Sequence, residues 1–136
     1  VIPKMKEANY GRIVNIISTS VKQPIKGLGV SNTTRGAVAS WAKTLSNEVA
    51  KFGITVNNIL PGSTNTQRIV DLMENKAKRT GKTVEEVKKE MIAEIPMGRY
   101  GEPSEIAAVT AFLCTPAAGY VNGVSIPVDG GRTSSL

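Results

Sequence analysis

Short β-branched runs alternate along this chain with longer stretches of three- and four-residue hydrophobic spacing. Residues 12–17, RIVNII, form an apolar run between Gly11 and the Ser/Thr cluster at 18–20, which predicts a buried strand. The residues before it, 1–9, read as the last turns of a helix. Val1, Ile2 and Met5 share one face, and Gly11 ends it. A loop rich in Gly, Pro and Lys covers 20–30. Val38, Trp41, Ala42, Leu45 and Val49 then recur at helical steps, predicting a helix over 31–51 capped by Ser31 or Asn32 and closed by Gly53. ITVNNIL (54–60) predicts a second buried strand, ended by Pro61-Gly62. Strand, long helix and strand in that order suit a right-handed crossover in a parallel sheet.

Residues 63–99 break this rhythm. Two charged amphipathic helical stretches, about 66–79 and 83–94 and parted by Thr80-Gly81, follow the carboxyl end of a strand. Ligands bind at such ends in open α/β sheets, so the insert over about 66–98 reads as a lid. Pro103 to Leu113 predicts a helix opening with a capping pattern, with Ile106, Val109, Thr110 and Leu113 on one face. VSIPV (124–128) predicts a third strand, and Asp129-Gly130-Gly131 a turn. The fold class is therefore α/β. The chain reads as the second, carboxyl-terminal half of a doubly wound parallel sheet, one partial domain over 1–136. No glycine-rich phosphate loop of the GxGxxG or GxxxGxG type occurs in it.

Composition narrows the chemistry. The 136 residues are 40% hydrophobic and 21% charged, suiting one globular domain. There is no His, so a Ser-His-Asp triad, a Cys-His pair, an HExxH zinc site and a His acid/base are excluded within this chain. The single Cys114 excludes an intrachain disulfide and any CxxC site, and no metal site is expected. Cys114 itself reads as a small buried hydrophobe. No apolar run nears the ~20 residues of a membrane span, and VIPKMKEANY lacks the apolar core of a signal peptide. The default expectation is a cytoplasmic protein without membrane contact. The chain starts at Val1, which reads as a piece of something longer.

The net charge of +6 is uneven: residues 1–53 hold eight Lys/Arg against Glu7 and Glu48. These cations are spread singly, without interleaved aromatics, so nucleic acid is not the expected partner. A diffuse basic face suits a phosphate-bearing small molecule or an acidic carrier protein better.

GRIVNIIS (11–18), AKTLSNEVAKFGITVNNILPG (42–62), PMGRYGEPSEIAAVTAFL (96–113) and YVNGVSIPVDGG (120–131), in that order and spacing, resemble the carboxyl-terminal half of a short-chain dehydrogenase/reductase. The resemblance is to the 3-oxoacyl-(acyl-carrier-protein) reductase-like group. It implies a Rossmann-type sheet of which this chain is the carboxyl-terminal portion, hydride transfer between NAD or NADP and a carbonyl or alcohol, a small carbonyl or acyl-thioester substrate, and a homo-oligomer, a tetramer or a dimer. It also implies a whole protein about twice this long, because a dinucleotide needs both halves of the fold; the chain alone is then expected to be inactive.

In that family a Ser polarises the carbonyl, a Tyr thirteen residues later handles the proton, and a Lys four residues further lowers the Tyr pKa and holds the ribose. Ser18 matches the Ser, but Ser31 stands in the Tyr position and Arg35 in the Lys position. No Tyr-x-x-x-Lys occurs in the chain. An aliphatic hydroxyl is a far weaker acid than a phenol of pKa ~10. The Arg cation is fixed but can still bind ribose hydroxyls and stabilise an oxyanion. Two readings stay open: an altered reductase using Ser18, Ser31 and Arg35, or a non-catalytic binding or oligomerisation module. The resemblance also assigns Pro61, Gly62, Ser63, Thr64 and Thr66 to the loop receiving the nicotinamide carboxamide, and Asn57 to an internal structural contact.

Plainer readings stand beside these. Ser18 suits a strand-end turn, Ser31 a helix cap, and Thr66 the cap of the next helix. Arg35 in a first helical turn suits a solvated charge, although cations prefer the other end of a helix. Ser40 and Lys43 make an SxxK pattern without its partner motifs. Trp41 reads as core or subunit interface, and the sequon Asn32-Thr33-Thr34 has no role in a cytoplasmic protein.

Overall fold

A computed structural model describes residues 1–135; Leu136, which the predicted domain included, lies outside the described residues. Three parallel strands form the sheet in the order β1 (Gly11–Ile16), β2 (Ile54–Pro61), β3 (Ser125–Val128). Helix α1 (Ile2–Glu7) precedes β1, and α2 (Gly29–Val49) joins β1 to β2. Helices α3 (Gln67–Thr80), α4 (Val84–Ala93) and α5 (Pro103–Leu113) lie between β2 and β3.

The central strand explains the layering. Its side chains alternate between faces. Ile54 and Val56 pack against Ala42, Leu45 and Val49 of α2, with Ile2, Met5, Ile13 and Phe52 around them. Ile59, on the alternate face, packs with Leu113 of α5 and Ala118, flanked by Val14, Ile106, Val109 and Ile126. Helices thus cover both faces, as the near-continuous apolar run of β2 requires. The insert has its own small core of Met73, Ala77 and Val87, backed by Val70, Met91 and Tyr100.

Polar groups fix the register. Asn15, Asn58 and Ser125 lie side by side on the three strands. Asn15 Nδ2 donates to Asn58 Oδ1 (3.0 Å), and Asn58 Nδ2 donates to Ser125 Oγ (3.1 Å). Asn57, buried, donates to the Val121 carbonyl (2.8 Å) and accepts from Val124 N–H (3.2 Å). The structural role expected for Asn57 holds.

Several local expectations are corrected. The first helix ends before Asn9, whose φ of 48° turns the chain, while Gly11 is the first residue of β1. Val1 is 92% exposed and leaves the apolar face to Ile2 and Met5. Helix α2 starts earlier than predicted, with Leu28 at its N-cap and no side-chain cap, so Ser31 and Asn32 lie inside its first turn. Asn32 Nδ2 instead ties the preceding loop to the helix through the Ile25 carbonyl (2.9 Å). Trp41 is 54% exposed and not core, and Cys114 is exposed at the end of α5. Gly53 does close the helical segment, at φ 70°. A Cβ there would meet the Asn9 carbonyl oxygen at 2.4 Å.

Candidate active site

Ser18 follows the carboxyl end of β1 in extended backbone and caps a short 3-10 turn over Thr19–Val21. Its Oγ accepts from Ser20 N–H at 3.1 Å. The turn reading of Ser18 is therefore correct as local structure. A hydroxyl that accepts still has its own proton to donate.

Arg35 joins this segment to α2. Its Nη1 donates to the carbonyl of Ile17, the residue before Ser18, at 2.6 Å. Its Nε donates to Ser31 Oγ at 3.2 Å. Both Ser31 and Arg35 are half-buried, so Arg35 is not a free surface charge. Helical spacing creates the pair: residues four apart share a face. Nη2 makes no hydrogen bond among the described residues. Ser31, like Ser18, accepts from an N–H and has its proton unspent. Ser40 and Lys43 form no comparable pair, since Lys43 Nζ donates to the Gly123 carbonyl (3.2 Å) and Ser40 is exposed.

The loop after β2 is clamped from both sides. Gly62 N–H donates to the Val128 carbonyl (3.0 Å), Gly101 N–H to the Ser63 carbonyl (3.0 Å), and Asn65 N–H to the Gly101 carbonyl (2.8 Å). A Cβ on Gly62 would lie 2.6 Å from Asp129 Cβ, so this close approach needs glycine. Asn65 Nδ2 also reaches Glu102 Oε1 (3.2 Å). Nearby, Arg99 grips Glu105 with two bonds of 2.8 and 2.7 Å. That bond first, and the Glu102 N–H second, hold the Glu105 carboxyl down at about 2 from its ordinary 4.5. The clamp leaves the N–H groups of Ser63 and Thr64 without an acceptor among the described residues. Thr66 stands at the N-cap of α3 but makes no capping bond; its hydroxyl donates to the Thr64 carbonyl at 3.4 Å.

Two adjoining cavities of about 390 and 440 Å³ open beside these elements and share Thr19, Ile25, Lys26, Glu94 and Arg132. Gly62 and Ser63 line the first, whereas Ser18, Ser31 and Arg35 line neither. The carboxyl-terminal segment closes one side: Arg132 Nη2 bonds Glu94 Oε2 at 2.6 Å, and Ser134 N–H donates to Gln23 Oε1 at 3.3 Å. Thr19 is buried, and its hydroxyl has no partner among the described residues. Sequence reasoning missed Thr19, Lys26, Arg79 and Arg132. The available signal was the spacing of Ile69, Leu72, Lys76 and Arg79, one helical face that turns from apolar to basic along α3.

A family model described as Enoyl-(Acyl carrier protein) reductase matches residues 1–133. The chain belongs to the short-chain dehydrogenase/reductase family. It is 36% identical over 131 residues to a tropinone reductase homolog of Arabidopsis thaliana, covering 96% of this chain and 40% of that protein. It is 33% identical over 132 residues to the NADPH-dependent reductase BacG of Bacillus subtilis, covering 97% of this chain and 51% of the relative. Among solved structures, actinorhodin polyketide ketoreductase with NADPH superposes with a TM-score of 0.91 at 34% identity, over 96% of this chain and 50% of that one. NAD+-bound xylitol dehydrogenase gives 0.88 at 32% identity, over 96% and 52%. The chain thus spans about half the length of the relatives it matches. These likenesses agree with the Rossmann-type fold read from the three-stranded parallel sheet and its two helical layers.

Proposed function

We propose that this chain supplies the substrate-facing half of an NAD(P)-dependent oxidoreductase of the 3-oxoacyl-(acyl-carrier-protein) reductase type, working in the cytoplasm as a homotetramer. The observation carrying this reading is the state of two hydroxyls. Ser18 and Ser31 each accept from an N–H donor and so keep a proton for a substrate oxygen. Arg35, bonded to Ser31 and to the carbonyl before Ser18, connects them.

The residues present fit a nicotinamide cofactor. Arg35 Nη2 is available for ribose hydroxyls, and the N–H groups of Ser63 and Thr64 are available for the carboxamide. Pro61 and Gly62 shape that loop, and Thr66 braces it through the Thr64 carbonyl. When bound, the cofactor supplies the hydride that reduces the carbonyl carbon. Ser18 and Ser31 donate to the carbonyl oxygen as its negative charge grows, and the Arg35 cation strengthens the Ser31 bond. Neither serine is acidic enough to give up its proton, so the alkoxide takes one from water. Helices α3 and α4, over residues 66–98, act as the lid. The 54% exposed Trp41 on α2 supports a subunit contact along that helix.

The test is consumption of NADPH or NADH by the complete protein with an activated ketone. Turnover that falls at least tenfold in Arg35→Gln supports this reading. A stable oligomer without turnover establishes the binding-module alternative.

A further inference from the structure

Two basic side chains of the lid, Lys76 and Arg79, reach the 390 Å³ cavity from one face of α3. Ile69, Leu72, Lys76 and Arg79 of α3 all line the 390 Å³ cavity. They run from the apolar start of the helix to its basic end, about 15 Å along the axis at 1.5 Å per residue. Ile69 lies near the loop that carries Gly62 and Ser63, which line the same cavity. Leu28 and Met91 extend the apolar wall.

The charges lining this space do not cancel. Lys26, Lys76, Arg79 and Arg132 face one carboxylate, Glu94, and Glu94 is already bonded to Arg132. Lys76 lies 3.6 Å from Glu90, a carboxylate that also contacts Lys82. Lys26 and Arg79 have no carboxylate within ion-pair distance among the described residues. An apolar wall leading to unpaired cations would be a poor binder of a neutral chain and a good binder of an amphipathic anion.

The geometry points to a substrate with an apolar body along Ile69 and Leu72 and an anionic group held by Lys76 and Arg79, in a cavity that Lys26 also lines. This rests on the reductase reading for taking the bound anion to be a ketone substrate, but the anion preference can be measured without turnover. The anion is a carboxylate or a phosphate monoester, since both suit a guanidinium fork.

The probes are an oxododecanoate with its ketone beside the terminal methyl, the methyl ester of that acid, and dodecyl phosphate. Calorimetric binding to the complete protein should favour both anions over the ester by at least tenfold. The stronger of the two identifies the anion type. Lys76→Gln/Arg79→Gln should remove that preference while leaving ester affinity within twofold. Melting temperature and circular dichroism confirm that the variant is folded. Equal affinity for acid and ester, or a preference that survives the double change, overturns the proposal. Retained anion preference without ketone reduction would uphold this inference and defeat the reductase reading.

Discussion

Arg35 donates to the carbonyl oxygen of Ile17 across 2.6 Å, so the first turn of α2 is tied to the residue that precedes Ser18. The same side chain donates to Ser31. A charged donor to a half-buried acceptor contributes more than a neutral one, and removing it strands the acceptor. Arg35→Gln should therefore destabilise the protein by about 1–3 kcal/mol, read from the midpoint of urea unfolding. Arg35→Lys, able to satisfy only one of the two acceptors at a time, should lie between that variant and wild type. Equal stability of all three would show the contact to be energetically idle.

Ser31 and Arg35 stand where related reductases carry the acid and its supporting cation, as the resemblance implies. Restoring a phenol with a neighbouring ammonium, Ser31→Tyr together with Arg35→Lys, supplies a general acid of the kind that is worth about 10²–10⁴ in rate. The double variant of the complete protein should reduce an activated ketone about tenfold or more faster than wild type. A slower double variant would mean that Ser31 and Arg35 perform chemistry of their own.

Much of this architecture is legible in the pattern of residues, for physical reasons. The run ITVNNIL can be buried on both faces only in a sheet with helices on each side, and α2 and α5 supply those layers. The start of α2 was less legible. Ser31 and Asn32 have good capping side chains, yet the helix begins at Gly29, and Asn32 instead bonds back to Ile25. A local propensity lost there to a tertiary bond. The Ser31–Arg35 contact follows from i,i+4 spacing alone. The bond from Arg35 to Ile17 does not, because it joins residues brought together only when α2 folds back on the sheet. The cavity wall was hidden for the same reason: Thr19 and Lys26 come from the β1–α2 connection, Arg79 from α3 and Arg132 from the segment after β3.

Asn57 is a polar residue in the middle of the most buried strand, and both ends of its amide are used. Asn57→Ala leaves the Val121 carbonyl and the Val124 N–H without their partner. The expected loss is about 2–4 kcal/mol from two such bonds, again by urea unfolding. Asn57→Asp should cost at least as much, because a carboxylate cannot donate to the Val121 carbonyl. A change below the reproducibility of the measurement would refute the bracing role.

Gly53 holds φ 70° at the junction of the α2 segment and β2, with the Asn9 carbonyl oxygen 2.4 Å from where a Cβ would sit. The obstacle is backbone, so a side chain cannot rotate away from it. Gly53→Ala should therefore cost more than the roughly 1 kcal/mol expected from a left-handed φ alone. The shift would be accompanied by disturbance of the β1 edge, visible as faster amide exchange at Gly11 and Arg12, which pair with Ile54 and Thr55. Unchanged exchange with unchanged stability would falsify the clash.

Glu105 gives the segment after the helical insert a pH response of known sign. Its carboxyl is held at about 2 against an ordinary 4.5, first by Arg99 and then by the Glu102 N–H. A carboxylate whose folded pKa is depressed contributes stability that is fully present above its unfolded pKa. That contribution is lost as pH falls through the folded value. The loss should therefore fall between pH 4.5 and about 2. Both side chains are exposed and solvent screens the pair, so the effect is small and weakens with salt. Glu105→Gln should melt lower than wild type at pH 6, and the two melting temperatures should converge as the pH is lowered toward 2. Because Arg99 and Glu105 also hold the segment leading from α4 into α5, the variant should show faster amide exchange at Gly101, whose N–H bonds the Ser63 carbonyl. A constant gap between the two proteins across that pH range would place the effect in packing rather than in the charge of Glu105.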